Sequence, residues 1–312
     1  MSKNNPMNYN FDLLKERVLN TLKLTNISSK LKKIKGNTIC IGSGGSKVVA
    51  TFASMVLNAK NNCSVKVLDP RDALYENLDS YKNLFVCSYS GSNLGVDILS
   101  TLKIKKYLLT YKEEEKENFI NLNCKSSIDK EMSFISLAAT LMPMSILLTY
   151  YLETDITNLI NEMFEKVKNI SFELESINLP FELLSGNDTL TPQIYLDSTF
   201  VESGLSSLVT HSKYDFCHGR STLSYTQESN LIYLLSSKKE LDNLLLTTIE
   251  KQYKSIIVLQ SEYKDPIINN FYLTLQSMYL TKYIAQQKSI DLSIVNYNKE
   301  ICKPLYKYQG EM

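Results

Sequence analysis

Two periods of hydrophobic patterning alternate along this chain. Short, mostly apolar runs at 37–41, 64–68, 83–87 and 105–110 predict buried strands. Between them, at 46–58, 93–101 and 115–121, apolar residues recur at helical spacing. Strands separated by helices of this length predict a parallel sheet with helices on both faces. An amphipathic run from Phe11 to Leu22 precedes the first strand and predicts a lead-in helix. A second alternation follows, with strands expected at 193–196, 230–235, 255–259 and 291–295 and helices at 200–212, 239–253 and 266–287. Two halves of similar rhythm point to a duplicated unit. The expected fold class is α/β, with two doubly wound, mostly parallel sheets, each in a flavodoxin-like three-layer sandwich. The expected divisions are a lead-in helix (1–34), a first domain (35–178), a linker rich in turn formers and prolines (179–192) and a second domain (193–312).

The stretch 133–152 is apolar all round, yet Pro143 lies near its middle and Glu131 and Glu153 flank it. It is expected to be buried in a core or across a subunit contact rather than in a membrane. Residues 153–178 read as helical and charged. The basic run 29–35 and the acidic run 112–117 read as solvated helix faces. A net charge of +1 gives no electrostatic case for nucleic acid or an acidic membrane as partner. The six cysteines are dispersed without metal-ligand spacing, so neither zinc nor a disulfide framework is expected. Cys40 and Cys87 fall inside strand runs and read as small buried hydrophobes. The polar start Met1-Ser-Lys-Asn-Asn-Pro6 lacks an apolar signal core, and the expected compartment is the cytoplasm.

Glycine is used at about half its average frequency of ~7%, yet five of the ten glycines cluster beside serine after two strands. They lie in Gly42-Ser-Gly-Gly-Ser-Lys47 and in Ser88-Tyr-Ser-Gly-Ser-Asn-Leu-Gly95. A strand, a Ser/Gly turn and a helix in succession place hydroxyls and free backbone N–H groups around an anion. The spacing is neither a P-loop nor a dinucleotide fingerprint. The second half carries no comparable turn, Leu196-Asp-Ser-Thr-Phe200 standing in its place. Of the two histidines, His218 lies in the polar segment Lys213-Tyr-Asp-Phe-Cys-His-Gly-Arg220, where Asp215 is available to orient it. His211 reads as a surface position on a helix.

Taken together, these segments resemble the tandem sugar isomerase (SIS) domain family, which includes the isomerase half of glucosamine-6-phosphate synthase and phosphosugar deaminases and deglycases. Ser88-Tyr-Ser-Gly-Ser-Asn93 is similar to the family's Ser-x-Ser-Gly-(Glu/Ser)-(Thr/Asn) turn, and Gly42-Ser43-Gly44 to its first turn. Asp215-Phe-Cys-His218-Gly-Arg220 resembles the Glu-x-x-His-Gly-Pro loop, with Arg220 in place of proline. Glu300-Ile-Cys-Lys303-Pro-Leu305 resembles the C-terminal loop that folds over substrate, and Glu131 with its apolar sequel resembles a segment lining the site and the dimer contact.

The resemblance implies a phosphorylated sugar or amino sugar as ligand. Gly42, Ser43, Gly44, Ser88, Tyr89, Ser90, Asn93 and Glu131 would bind it. It implies isomerisation, deamination or deglycation by acid–base catalysis without metal or other cofactor. His218 would move the ring-oxygen proton, and Lys303 would stabilise an oxyanion. Counting back from His218 gives Glu202, at a helix start, as the carboxylate moving a proton between C1 and C2; a deletion between that helix and the loop would instead put Val209 there and leave the base missing. It also implies a homodimer with no nucleic-acid or membrane partner. A sugar-phosphate-binding regulatory protein without catalysis is the alternative.

Overall fold

The computed structural model describes residues 6–91, 94–128, 131, 135–237, 240–294 and 300. The chain forms two compact units, the first made of the residues up to Thr157 and those from Ser293 on, the second of Asn158–Leu292. The first contains α1 (Pro6–Asp12), α2 (Leu14–Leu24), α3 (Ser28–Leu31), β1 (Thr38–Ile41), α4 (Gly45–Asn61), β2 (Val65–Leu68), β3 (Asn83–Cys87), α5 (Leu94–Ser100), β4 (Lys105–Thr110), β5 (Ile120–Asn123) and α6 (Ala138–Leu152). From α7 (Thr157–Lys168) onward, the second contains β6 (Phe181–Ser185), α8 (Leu190–Glu202), β7 (Leu208–Ser212), α9 (Lys213–Asp215), α10 (Thr222–Thr226), β8 (Asn230–Leu234), α11 (Glu240–Ile249), β9 (Ser255–Leu259) and α12 (Pro266–Gln287).

All neighbouring strands are parallel, in the orders β2-β1-β3-β4-β5 and β7-β6-β8-β9. The two units thus repeat one winding scheme, with β6 in the place of β1 and β8 in the place of β3. The direction of winding switches between β1 and β3 in the first and between β6 and β8 in the second. Ligands bind at such switch points, outside the carboxyl ends of the strands.

Burial follows position in the sheet. Central β1 and β3 are buried along their whole length, as strands covered on both faces must be, whereas edge strand β2 is half-buried and exposes Lys66. Ile39, Ile41, Leu84, Val86, Leu99 and Leu108 form one apolar cluster of the first core. α6 is buried along most of its length, Pro143 included, and packs on α2 and α4 inside its own unit. This accounts for its apolar circumference. Among the described residues no helix is long and apolar enough to cross a membrane. α12 starts where Asp265 accepts hydrogen bonds from the N–H groups of Ile267 (2.8 Å) and Ile268 (3.0 Å), ahead of Pro266 at the first helical position.

Several sequence expectations are corrected. The stretch read as a linker, 179–192, contains β6 and the first residues of α8. Residues 193–196, read as a strand, lie inside α8. The segment 208–212, read as helical, is β7. Residues 115–121 form no helix but lead into β5, and the acidic run precedes that strand as a loop. Residues 291–294 are not a strand, and within 153–178 only α7 is helical. Assigning 193–196 as the strand also misplaced the following turn. The turn after the first strand of the second unit is Gly186-Asn-Asp-Thr189, and it does contain a glycine.

Candidate functional site

The two Ser/Gly turns of the first unit follow β1 and β3 at the carboxyl ends of adjacent strands, on either side of the switch point. Backbone geometry explains their glycines. A Cβ on Gly42 would lie 2.2 Å from the Ser46 carbonyl oxygen in the first turn of α4, and one on Gly45 would lie 2.4 Å from the Ser136 side chain. Gly44, with φ +55°, precedes α4 in a conformation that side chains resist. Gly91 has φ +61° and sits against Thr110.

Ser43 donates its hydroxyl to Asp69, the residue after β2. The Ser88 N–H donates to the Leu109 carbonyl at 3.0 Å, which ties the second turn to β4. Its hydroxyl oxygen is buried and has no hydrogen-bond partner. Ser88 also borders a cavity of about 10 Å³ lined by Ser46, Cys87, Tyr89, Thr110 and Pro143, room for roughly one water. Tyr89 accepts hydrogen bonds at its carbonyl from the Thr110 hydroxyl and the Tyr111 N–H, each at 3.1 Å, and its ring stacks on Tyr111 with centroids 5.0 Å apart. Burial, then the nearby Glu131 carboxylate, pushes the Tyr89 phenol well above its usual range, so it acts here as a hydroxyl. Ser90 is exposed at the tip. Asn93 lies outside the described residues.

Glu131 is engaged by the protein. Its carboxylate accepts the N–H groups of Leu137 (3.2 Å), Ala138 (2.6 Å) and Ala139 (3.2 Å), capping α6. Burial raises its pKa, and these backbone bonds and Arg17 oppose the rise. Arg17 is buried on α2, with two guanidinium nitrogens lacking partners.

In the second unit, Glu202 is the last residue of α8 rather than a helix start, and it accepts a hydrogen bond from Ser198 at 2.7 Å. β6 lies at Phe181–Ser185, ahead of the strand expected at 193–196, so α8 starts earlier and ends at Glu202. His218 is exposed at a kink, Phe216–Arg220, where Gly219 takes φ +103°. Among the described residues no ion pair joins it to Asp215, whose N–H is instead capped by the Ser212 hydroxyl at 3.0 Å. Lys303 lies outside the described residues.

His211 is a correction. It lies on β7, is buried, and approaches the buried Glu182 of β6. Sequence reading also missed the buried Lys213–Asp242 pair, in which Asp242 accepts the Tyr233 hydroxyl at 2.8 Å. The one available signal was a charged residue set in an apolar run, as in Phe181-Glu-Leu-Leu184. Among the described residues no three His, Cys, Asp or Glu side chains converge as a metal site requires.

No protein-family model matches the chain, and no curated protein matches its sequence. Solved structures do match. Tagatose-6-phosphate ketose/aldose isomerase from Escherichia coli superposes with a TM-score of 0.75 at 11% identity, covering 95% of this chain and 98% of that one. The C-terminal domain of glucosamine-fructose-6-phosphate aminotransferase from Francisella tularensis gives 0.72 at 13%, covering 93% and 98%. Glucosamine-6-phosphate deaminase from Thermotoga maritima gives 0.70 at 15%, covering 92% and 96%. Such identities speak to architecture alone: the chain shares the two-unit α/β fold of these three structures.

Proposed function

We propose that this chain binds a phosphorylated sugar or amino sugar at the Ser/Gly turns of its first unit and isomerises, deaminates or deglycates it. The observation that carries the reading is Ser88, a buried hydroxyl with no protein partner at the carboxyl end of β3, beside the switch point. A polar atom in that state costs about 1–3 kcal/mol unless something else bonds it, and a phosphate oxygen or its bridging water meets the need. The phosphate would be held by Ser43, Ser88, Ser90 and Asn93 with backbone N–H groups of the turns. The neighbours' printed activities, on tagatose 6-phosphate and glucosamine 6-phosphate, support the ligand class.

The chemistry proposed is acid–base. His218 protonates the ring oxygen as the ring opens. A carboxylate, Glu202, removes a proton from C2 and returns it to C1 through an enediol, with Lys303 stabilising the oxyanion. The protein would act in the cytoplasm as a homodimer. A second reading, sugar-phosphate binding without catalysis, is favoured by Glu202 itself. It ends α8 at an exposed position, with one carboxylate oxygen taken by Ser198. A thermal-shift screen of hexose and hexosamine phosphates, followed by turnover assays on the hits, tests both. Stabilisation with turnover supports the enzyme, stabilisation alone supports the binding protein, and no stabilisation by any phosphate overturns both.

A further inference from the structure

The repeat of one winding scheme allows the two switch points to be compared strand by strand. In the first unit the turn after β3 leaves the Ser88 hydroxyl buried and unpartnered. In the second unit the matching turn after β8, Ser236-Ser237, is fully engaged. The Ser236 hydroxyl, the Ser237 N–H (3.1 Å) and the Ser237 hydroxyl (3.1 Å) all converge on a single oxygen, Oδ2 of Asp188. Asp188 belongs to the turn after β6, the strand that matches β1. We propose that Asp188 is a built-in anion: its carboxylate fills in the second unit the position that a ligand phosphate takes in the first, so the chain binds one phosphorylated ligand and not two.

The surroundings are built to hold it there. Gly186 lets the side chain fold back, because a Cβ at that position would lie 2.9 Å from the Asp188 carboxylate. The Asp188 carbonyl accepts the Asn270 side-chain amide of α12, and the Asp188 side chain takes no part in that bond. The charge balance completes the exclusion. The buried Lys213 ammonium donates to Asp242, and Asp242 also accepts the Ser236 N–H at 2.7 Å. One ammonium therefore faces two carboxylates, and the net negative charge repels a further anion. Without the Asp188 carboxylate, a neutral Lys213–Asp242 pair would remain, and the Ser236 hydroxyl, Ser237 N–H and Ser237 hydroxyl would lose their shared acceptor. Two hydroxyls and an amide are the kind of donor set that phosphate takes.

This inference rests on the reading of the first unit as the phosphate site, and the test separates the two. Inorganic phosphate is titrated calorimetrically into the full chain, into Asp188→Ala and Asp188→Ser, and into each of these combined with Ser88→Ala/Ser90→Ala. The expected stoichiometry is one phosphate per chain for the native protein and two for either Asp188 variant. The Ser88/Ser90 double variant should bind none, and adding an Asp188 substitution should restore one. If the native chain binds none while the Asp188 variants bind one, the first-unit reading fails and only the role of Asp188 as the built-in anion of the second unit stands. The inference is overturned if both Asp188 variants melt cooperatively yet bind no more phosphate than the native chain. Loss of the fold in both overturns it too, because Asp188 would then be scaffolding only.

Discussion

His211 Nε2 lies 3.2 Å from Glu182 Oε2, with the two side chains only 3% and 2% exposed. The carboxylate also accepts hydroxyls from Ser229 (2.7 Å) and Tyr253 (3.0 Å), so residues from four strand regions meet on one buried glutamate. Truncating a buried side chain leaves a cavity and strips a buried carboxylate of a neighbour, and His211→Ala is expected to lower the urea midpoint. Burial alone would raise the Glu182 pKa, but the adjacent His211 and the hydrogen bonds from Ser229 and Tyr253 outweigh it and hold it below the ordinary 4.5. A folded value below the unfolded one stabilises the protein above the unfolded pKa. That stability is lost as the pH falls through the folded value. Urea titrations between pH 6 and pH 3 should therefore show the native chain losing its advantage over Glu182→Gln below about pH 4.5. An advantage constant across that range would remove the carboxylate from the account.

Ser88 separates affinity from stability. Its hydroxyl bonds nothing in the protein, so Ser88→Ala is expected to leave the melting temperature unchanged or slightly higher. Hydrogen bonds to a charged group contribute about 1.5–3 kcal/mol each, so Ser88→Ala/Ser90→Ala should weaken sugar-phosphate binding roughly a hundredfold. Calorimetric affinities equal to the native value would refute the cradle.

Two glycines provide a steric control. A methyl group at Gly42 would meet the Ser46 backbone at 2.2 Å, whereas one at Gly204 has nothing within 4 Å and only a φ of +68° to accommodate. Gly204→Ala should cost about 1–2 kcal/mol for the left-handed backbone. Gly42→Ala should cost about 3 kcal/mol or more, since the obstacle is backbone that cannot rotate away. Chemical denaturation of the two variants side by side tests the order, and equal losses would contradict the close approach at the first turn.

If His218 moves the ring-oxygen proton, His218→Ala should reduce turnover by ~10²–10⁴ on the sugar phosphate identified by screening. Its exposed position predicts that the melting temperature will not change. Turnover within twofold of the native chain would transfer the assignment to the binding-only reading.

Sequence by itself determined the elements whose pattern is strong and local. β1, β2, β3 and β4 were legible as short apolar runs, and α12 was legible along its full length as the helical run at 266–287. The Ser/Gly turns were equally plain, because a glycine-poor chain had concentrated its glycines there, one of them, Gly42, where an added Cβ would lie 2.2 Å from backbone. Tertiary structure decided the rest. Residues 193–196 and 208–212 are short segments of mixed β-branched and polar residues, in which helix and strand propensities nearly balance. Packing of α8 on α12 made the first helical, and pairing of β7 with β6 made the second a strand. With that register set, His211 moved from an expected surface to the buried side of Glu182, and Asp188 came to face Ser236 and Ser237, 48 and 49 residues away in the chain. Those contacts were illegible in sequence because no local pattern encodes which distant strand lies alongside. Adjacency in the sheet does, and it exists only once the chain has folded.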